Sequence, residues 1–185
     1  MASKILDKVN EITATIGQTP VDSLDESGNT DAINALATLK NKLNAILSTS
    51  ASFNTTIVTL QVDKASQRVR VPSSYISIKA VDHWGIYVVK DGYLFDVLGM
   101  VFVDKPVRVE VCVKLELEDL PDPVLNLITA QAAVTFQNNY LGDPAQAAEL
   151  HNALFLATIE FKRFDVSMGD YNTSYNPSVQ LLSVR

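Results

Sequence analysis

The chain carries one cysteine, Cys112, two histidines and one tryptophan in 185 residues. A single cysteine excludes an internal disulfide and any cysteine-rich zinc site. Seven glycines stand at positions 17, 28, 85, 92, 99, 142 and 169, too far apart for a phosphate-cradling loop. The motifs G-x-S-x-G, H-E-x-x-H and C-x-x-C are absent. No apolar run approaches the ~20 residues of a bilayer span. Positive charge is scarce as well: the net charge is −6 and the isoelectric point about 4.8. That balance argues against a sequence-independent nucleic-acid clamp, which needs many phosphate-neutralising cations. The opening MASKILDKVNEI has acids early and no small-residue cleavage site, so it does not read as a signal peptide. The expectation is a soluble protein of a reducing compartment, with no cofactor and no membrane-spanning segment.

What is present is ordinary globular composition, 47% hydrophobic and 19% charged. The stretch with the clearest pattern is LEDLPDPVLNLITAQAAVTFQNNYLGDPAQAAELHNALFLATIEFKRF, from Leu117 to Phe164. It holds two helix starts of one design, Asp122-Pro123 and Asp143-Pro144, each pairing a capping acid with proline in the first turn. Gly142 reads as the C-cap between them. The spacing predicts a helical hairpin with a short joint. Its first helix is apolar along Leu125, Ile128, Ala132, Phe136 and Tyr140 and again along Leu127, Ala130, Val134 and Leu141, the mark of a central helix. Its second carries Ala147, Leu150, Leu154, Ala157, Phe161 and Phe164, which reads as a second core stripe. Upstream, Ser3–Ile16 predicts an amphipathic helix with Ile5, Val9, Ile12 and Ile16 on one face. Asp31–Leu47 predicts another, capped by Asn29 or Thr30, with Ile33, Leu36, Leu39, Leu43 and Ile46 inward.

From Thr56 the period changes to two. Val58, Leu60 and Val62 alternate with polar residues; Val69, Val71, Ile76, Ile78 and Ala80 follow. Asp91-Gly92 between Ile86–Val89 and Tyr93–Val97 predicts a tight hairpin. The longest alternation is Val107–Leu117, eleven residues or roughly 36 Å of strand at ~3.3 Å each. It puts Cys112 with Arg108, Glu110, Lys114 and Glu116 on the wet face. The fold class expected is α+β: a four-helix bundle (1–54 and 119–166), an inserted antiparallel β domain (55–118) and an extended C-terminal tail (167–185).

The residues offer little catalytic chemistry. His151 borders the apolar side of its helix and His83 stands beside Trp84 between strands; neither has an evident partner, so both read as satisfied boundary residues. Cys112 lacks a histidine partner and reads as an inert thiol. Glu116, Glu118 and Asp119 form the one carboxylate cluster resembling a glycosidase pair, with two carboxylates about 7 Å apart on one strand face. The plainer reading is a solvated strand edge that resists pairing. Asp22, Asp25 and Glu26 lack the glycine and terminal glutamate of a calcium loop. The sequence is therefore expected to hold no catalytic, cofactor-binding or metal-ligating residues.

Five segments in order carry a resemblance: VNEITATIGQTPVDSL with NTDAINAL, then SFN, then DGYLFDV, then LEDLPDPVLNLITAQAAVTFQNNYLGD, and MGDYN. Together they resemble the tail tubular protein A family of short-tailed phages over nearly the whole chain. Two positions depart from the family pattern. Ala51-Ser52 precedes Phe53 where the family has an aromatic residue, and the last helix is the apolar AQAAELHNALFLATIE where charge is usual. The resemblance implies a virion structural protein, made in the host cytoplasm. It implies a dodecameric ring, the gatekeeper or head-to-tail adaptor between portal protein and tail nozzle protein. Tail fibres attach nearby, and DNA passes through the lumen without sequence-specific binding. An acidic lumen would repel DNA and let it slide. The alternatives are a polysaccharide-degrading glycoside hydrolase and a monomeric binding module built on the β block. The segment after Phe164 is polar but carries Tyr171, Tyr175, Leu181 and Leu182. Too few to form a core, these four are expected to order on a partner, with the portal as the expected one.

Overall fold

The computed structural model describes residues 4–24, 28–49, 51–81 and 85–173, with side chains through Met168. The chain divides into two compact units, Met1–Ile46 with Glu116–Arg185 and Leu47–Leu115. The first is helical and the second is built of antiparallel sheets, so the fold is mixed α+β.

In the helical unit, α1 (Lys4–Ala14) buries Ile5, Leu6, Val9 and Ile12, the three-four stripe written in its sequence. It stops at a turn whose Gly17 takes φ +77°, a left-handed conformation that glycine adopts without a Cβ penalty. The α2 helix (Thr30–Leu47) is capped by Asn29, whose Oδ1 accepts the Asp31 N–H at 2.8 Å. Its buried stripe is Ala32, Ala35, Leu39, Leu43 and Ile46; the expected Ile33 is exposed and Leu36 half-buried, so the inward face is rotated toward the alanines.

The α3 helix (Asp122–Tyr140) packs against both α1 and the long α4 (Pro144–Thr173). Val124, Leu125, Leu127, Ile128, Ala132, Ala133 and Phe136 are all buried, as a helix apolar on two stripes requires. Asp122 does not cap α3. The cap position is Pro121, and the Asp122 carboxylate instead pairs with Lys4 Nζ, joining the start of α3 to the start of α1. At the other end Gly142 takes φ +67° and donates its N–H to Gln137 O. The wholly buried Gln137 side chain donates to Asp143 O at 2.9 Å. Asp143 Oδ1 accepts the Ala145 N–H at 2.9 Å, so Asp143 caps α4 as its Asp-Pro pair predicts.

The Lys4–Asp122 pair carries a pH prediction. The hydrogen bond and charge of Lys4 hold the Asp122 carboxyl below its ordinary value. A carboxyl depressed in the folded state adds stability above its unfolded pKa and loses it as pH falls through the folded one. Asp122→Asn is therefore expected to melt slightly below the parent protein at pH 7 and together with it at pH 2. Because the pair is exposed the gap is small. Thermal melts across that range check it, and a gap that persists unchanged at pH 2 would count against the pair.

Two expectations about α4 fail. Its stripe of Leu150, Leu154, Ala157, Phe161 and Phe164 is only half-buried, and no described residue of α4 is fully buried. The helix also does not stop near Phe164: it runs on through Thr173, giving 30 residues or about 45 Å. The extended tail drawn from residue 167 is thus helical at its start, and Tyr171 lies on the last turns of α4. No proline stands between Pro144 and Pro177, and Gly169 costs a helix only about 1 kcal/mol. Tyr175, Leu181 and Leu182 lie outside the described residues.

The described residues of the β unit form three small antiparallel sheets: β1 (Thr55–Leu60), β8 (Val107–Val113) and β4 (Tyr75–Ala80) in the order β1–β8–β4; β2 (Val62–Asp63) with β3 (Arg68–Val69); and β5 (Tyr87–Lys90), β6 (Tyr93–Asp96) and β7 (Val101–Phe102) in that order. Leu60, Val69, Val71, Leu94, Val107, Val109 and Val111 form its core. The Asp91-Gly92 turn has φ of 54° and 77°, the paired positive values of a type I′ hairpin, and joins Lys90 to Tyr93. The SFN segment has a structural use. Asn54 is buried and donates to Leu47 O at 2.9 Å and Val113 O at 3.5 Å, tying the entry of this unit to the end of β8.

β8 is shorter than its alternation suggests. It stops at Val113, and Leu117–Asp119 forms a 3-10 turn rather than strand. Cys112, placed on the wet face from sequence, is 1% exposed, with its sulfur 3.7 Å from Thr55 Oγ1 on β1.

Candidate assembly surfaces

Glu116 and Glu118 do not share a strand face, since Glu118 lies in the 3-10 turn and Glu116 precedes it. Both are exposed. His151 is exposed, and its Nδ1 sits 2.7 Å from Ala147 O of the same helix, a local contact. His83 and Trp84, like Asp25 and Glu26, lie outside the described residues. Among the described residues no group of three His, Cys, Asp or Glu side chains could hold a metal. A recess of about 210 Å³ is lined by Tyr87, Asp96, Phe102, Asp104 and Lys105. That is below the ~300 Å³ at which small-molecule sites usually begin. Burial, and then the charge of Asp96, pushes the Tyr87 hydroxyl above its ordinary value. Among the described residues no helix is long and apolar enough to cross a membrane.

Two surfaces stand out instead. The first is the outer face of α4. Phe155, Leu156 and Val166 are 64%, 62% and 64% exposed, although the opposite side of the helix carries its own apolar stripe. Glu149, Ala153, Leu156 and Glu160 follow the i, i+4, i+7, i+11 spacing of one helical line, and all four are exposed. At the joint below, Tyr140 and Leu141 are exposed too. From Glu149 to Glu160 this face is apolar and acidic; the exposed Lys162 and Arg163 follow just beyond Glu160. Exposed apolar residues gathered in this way mark an interaction surface.

The second surface is one face of the β5–β6–β7 sheet. The pairs Lys90–Tyr93, Val88–Phe95 and Phe95–Phe102 set these five side chains on the same side. Phe95 and Phe102 meet edge to face at 5.2 Å. The Arg68 guanidinium lies 4.0 Å above the Phe102 ring, and Lys90 Nζ lies 5.1 Å from that of Phe95. On this face Val88 is exposed and Tyr93, Phe95 and Phe102 are half-buried; Ile86, Leu98 and Met100 beside it are exposed, and Val89 and Val101 are exposed on the opposite face. Neither Arg68 nor Lys90 is in an ion pair among the described residues.

Among the described residues, then, two surfaces carry exposed apolar side chains and no metal-binding cluster is assembled. The family model for tail tubular proteins matches residues 6–171. The chain belongs to the tail tubular protein family. It is also 27% identical over 174 residues to "Tail tubular protein A" of Klebsiella phage KP34, covering 88% of this chain and 90% of that protein. The resemblance carried by the SFN, DGYLFDV and LPDPV segments is thereby shown. A tail tubular protein is a structural component of the phage tail. Of the surface residues above, Tyr93 and Phe95 fall in the DGYLFDV segment and Tyr140 and Leu141 in the segment that ends NNYLGD, while Arg68, Val88, Lys90 and Phe102 fall in none. The signal for α4 was nevertheless present: Phe155, Leu156 and Val166 lie outside the inward stripe, and one helix cannot turn both faces to one core.

Proposed function

We propose that this chain is the subunit of a closed, dodecameric ring that acts as head-to-tail adaptor, or gatekeeper, between portal and tail nozzle. DNA passes through its lumen during genome ejection, and tail fibres attach nearby. The observation that carries the reading is the outer face of α4. In a family of phage tail components, a 30-residue helix with exposed Phe155, Leu156 and Val166 needs a neighbour to cover it. The negative net charge suits a channel that DNA traverses without sticking. We further take the four helices as one bundle carrying the β unit as an insert, so that the bundle and the insert can make different contacts in the ring. Negative-stain imaging of the purified protein mixed with portal-bearing heads tests this: closed rings on the portal support it, and bare portals beside free monomers oppose it.

A hydrolytic role has no support in the separation of Glu116 from Glu118. Glu116→Gln with Glu118→Gln is expected to leave unchanged any polysaccharide-degrading activity of a clean preparation. Loss of such activity with the fold intact would make the chain an enzyme. The chain beyond α4, with Tyr175, Leu181 and Leu182, and Tyr171 just before it, is the proposed portal-docking element; Asn176-Pro177 favours an extended course there. Deleting 178–185 is expected to leave the melting temperature within about 1 °C while weakening portal binding about tenfold or more, the scale of losing one or two apolar anchors. Unfolding of the truncated protein would place this segment in the core instead.

A further inference from the structure

The Glu149–Glu160 part of the α4 face, which ends before the exposed Lys162 and Arg163, is opposite in charge to the sheet face that carries Arg68 and Lys90. The helical unit, Met1–Ile46 with Glu116–Arg185, holds seven Lys and Arg against fifteen Asp and Glu; Leu47–Leu115 holds eight against six. The acidic excess thus resides wholly in one unit, while the other is slightly basic. On α4 the exposed Leu156 sits between Glu149 and Glu160 along one line, with Phe155 beside it. On the sheet, Val88, Phe95 and Phe102 are bordered by Arg68 and Lys90. A guanidinium stacked on a ring keeps its in-plane N–H donors for a carboxylate, so Arg68 is held in place yet still able to bind an acid.

We propose that the aromatic and cationic face of β5–β7 docks on the outer face of α4 in a second copy of this chain. Phe155 and Leu156 of one copy cover Val88, Phe95 and Phe102 of the next, while Glu149 and Glu160 meet Arg68 and Lys90. The contact joins two different patches, so it is heterologous, and a heterologous contact that closes makes a ring. This inference rests on the ring reading above and names the surfaces that build it.

Sedimentation velocity of the full chain at low salt, with imaging on portal-bearing heads, reads the contact in charge-swapped variants. Arg68→Glu with Lys90→Glu, and separately Glu149→Lys with Glu160→Lys, are each expected to weaken association about tenfold or more, and the four changes together to restore much of it. The α4 pair lies on an exposed helix face, so its result stands even if the sheet pair disturbs local packing. A placement test uses Val88→Cys with Leu156→Cys, Cys112 being buried: oxidation of assembled protein is expected to give an 88–156 disulfide between copies, identified by peptide mass spectrometry. Rings that form without that linkage and ignore both swaps overturn this contact while leaving the ring reading intact. Absence of rings even on the portal overturns both. Loss of DNA retention in the Arg68 and Lys90 variant, with association unchanged, would assign the face to nucleic acid and overturn the proposal.

Discussion

Replacing Phe136 with alanine is expected to lower the stability of the helical unit by about 3–5 kcal/mol, the range for emptying a buried aromatic site. Phe136 has no exposed surface and lies on the stripe of α3 that also buries Leu125, Ile128 and Ala132. Its ring is 4.4 Å from that of Tyr140. Because α3 packs against both α1 and α4, the cavity opens at the helix on which the unit is built. Urea denaturation followed by circular dichroism measures the loss. A cost near 1 kcal/mol would mean that the neighbours collapse into the space and that α3 is less central than its burial indicates.

The opposite behaviour is expected one helix away. Replacing Phe155 and Leu156 together by serine removes two large side chains that are more than half exposed. Surface changes of this kind usually move stability by no more than about 0.5 kcal/mol. Assembly should suffer far more. An anchor at the centre of an interface is worth at least about 2 kcal/mol, roughly a 30-fold change in affinity. The double variant should therefore melt like the parent yet fail to form rings at concentrations where the parent does. Parallel melts and particle imaging separate these effects, and a variant that unfolds but still assembles would invert the assignment of the two faces.

The contrast between Phe136 and Phe155 shows what periodicity can and cannot say. The stripe through Leu125, Ile128, Ala132 and Phe136 identified a buried face because α3 has neighbours on two sides. The same three-four spacing in α4, from Ala147 to Phe164, was equally regular, yet it yields a half-buried face. A period reports which residues share a side; it does not report how much of the protein lies against that side. The capping pairs were more local and split accordingly. Asp143 caps because its carboxylate reaches the Ala145 N–H, whereas Asp122 is drawn to Lys4, 118 positions away, a competitor that no local motif can announce.

In the β unit the Asp91-Gly92 hairpin was legible because only a few residue pairs tolerate two successive positive φ values. The end of β8 was not. Leu115 and Leu117 continue the alternation past Val113, but pairing stops where partner strands stop, and a strand cannot specify its neighbours' lengths. Cys112 was misplaced because it shares parity with Arg108 and Glu110. Its residue type was the better guide, since cysteine is among the most often buried. The family was legible from ordered segments, while the two assembly surfaces were not. Arg68, Val88, Lys90, Phe95 and Phe102 come from four strands and meet only through sheet register.

The central claim is that this tail protein works as a ring through which the genome passes. Symmetry-resolved electron microscopy of the head-to-tail joint in intact particles tests it most directly. The account predicts a closed ring of this chain seated between portal and nozzle around an open channel, with the outer face of α4 covered by a neighbouring copy. A joint that lacks the chain, or that holds it as separate copies with Phe155 and Leu156 facing solvent, would contradict it.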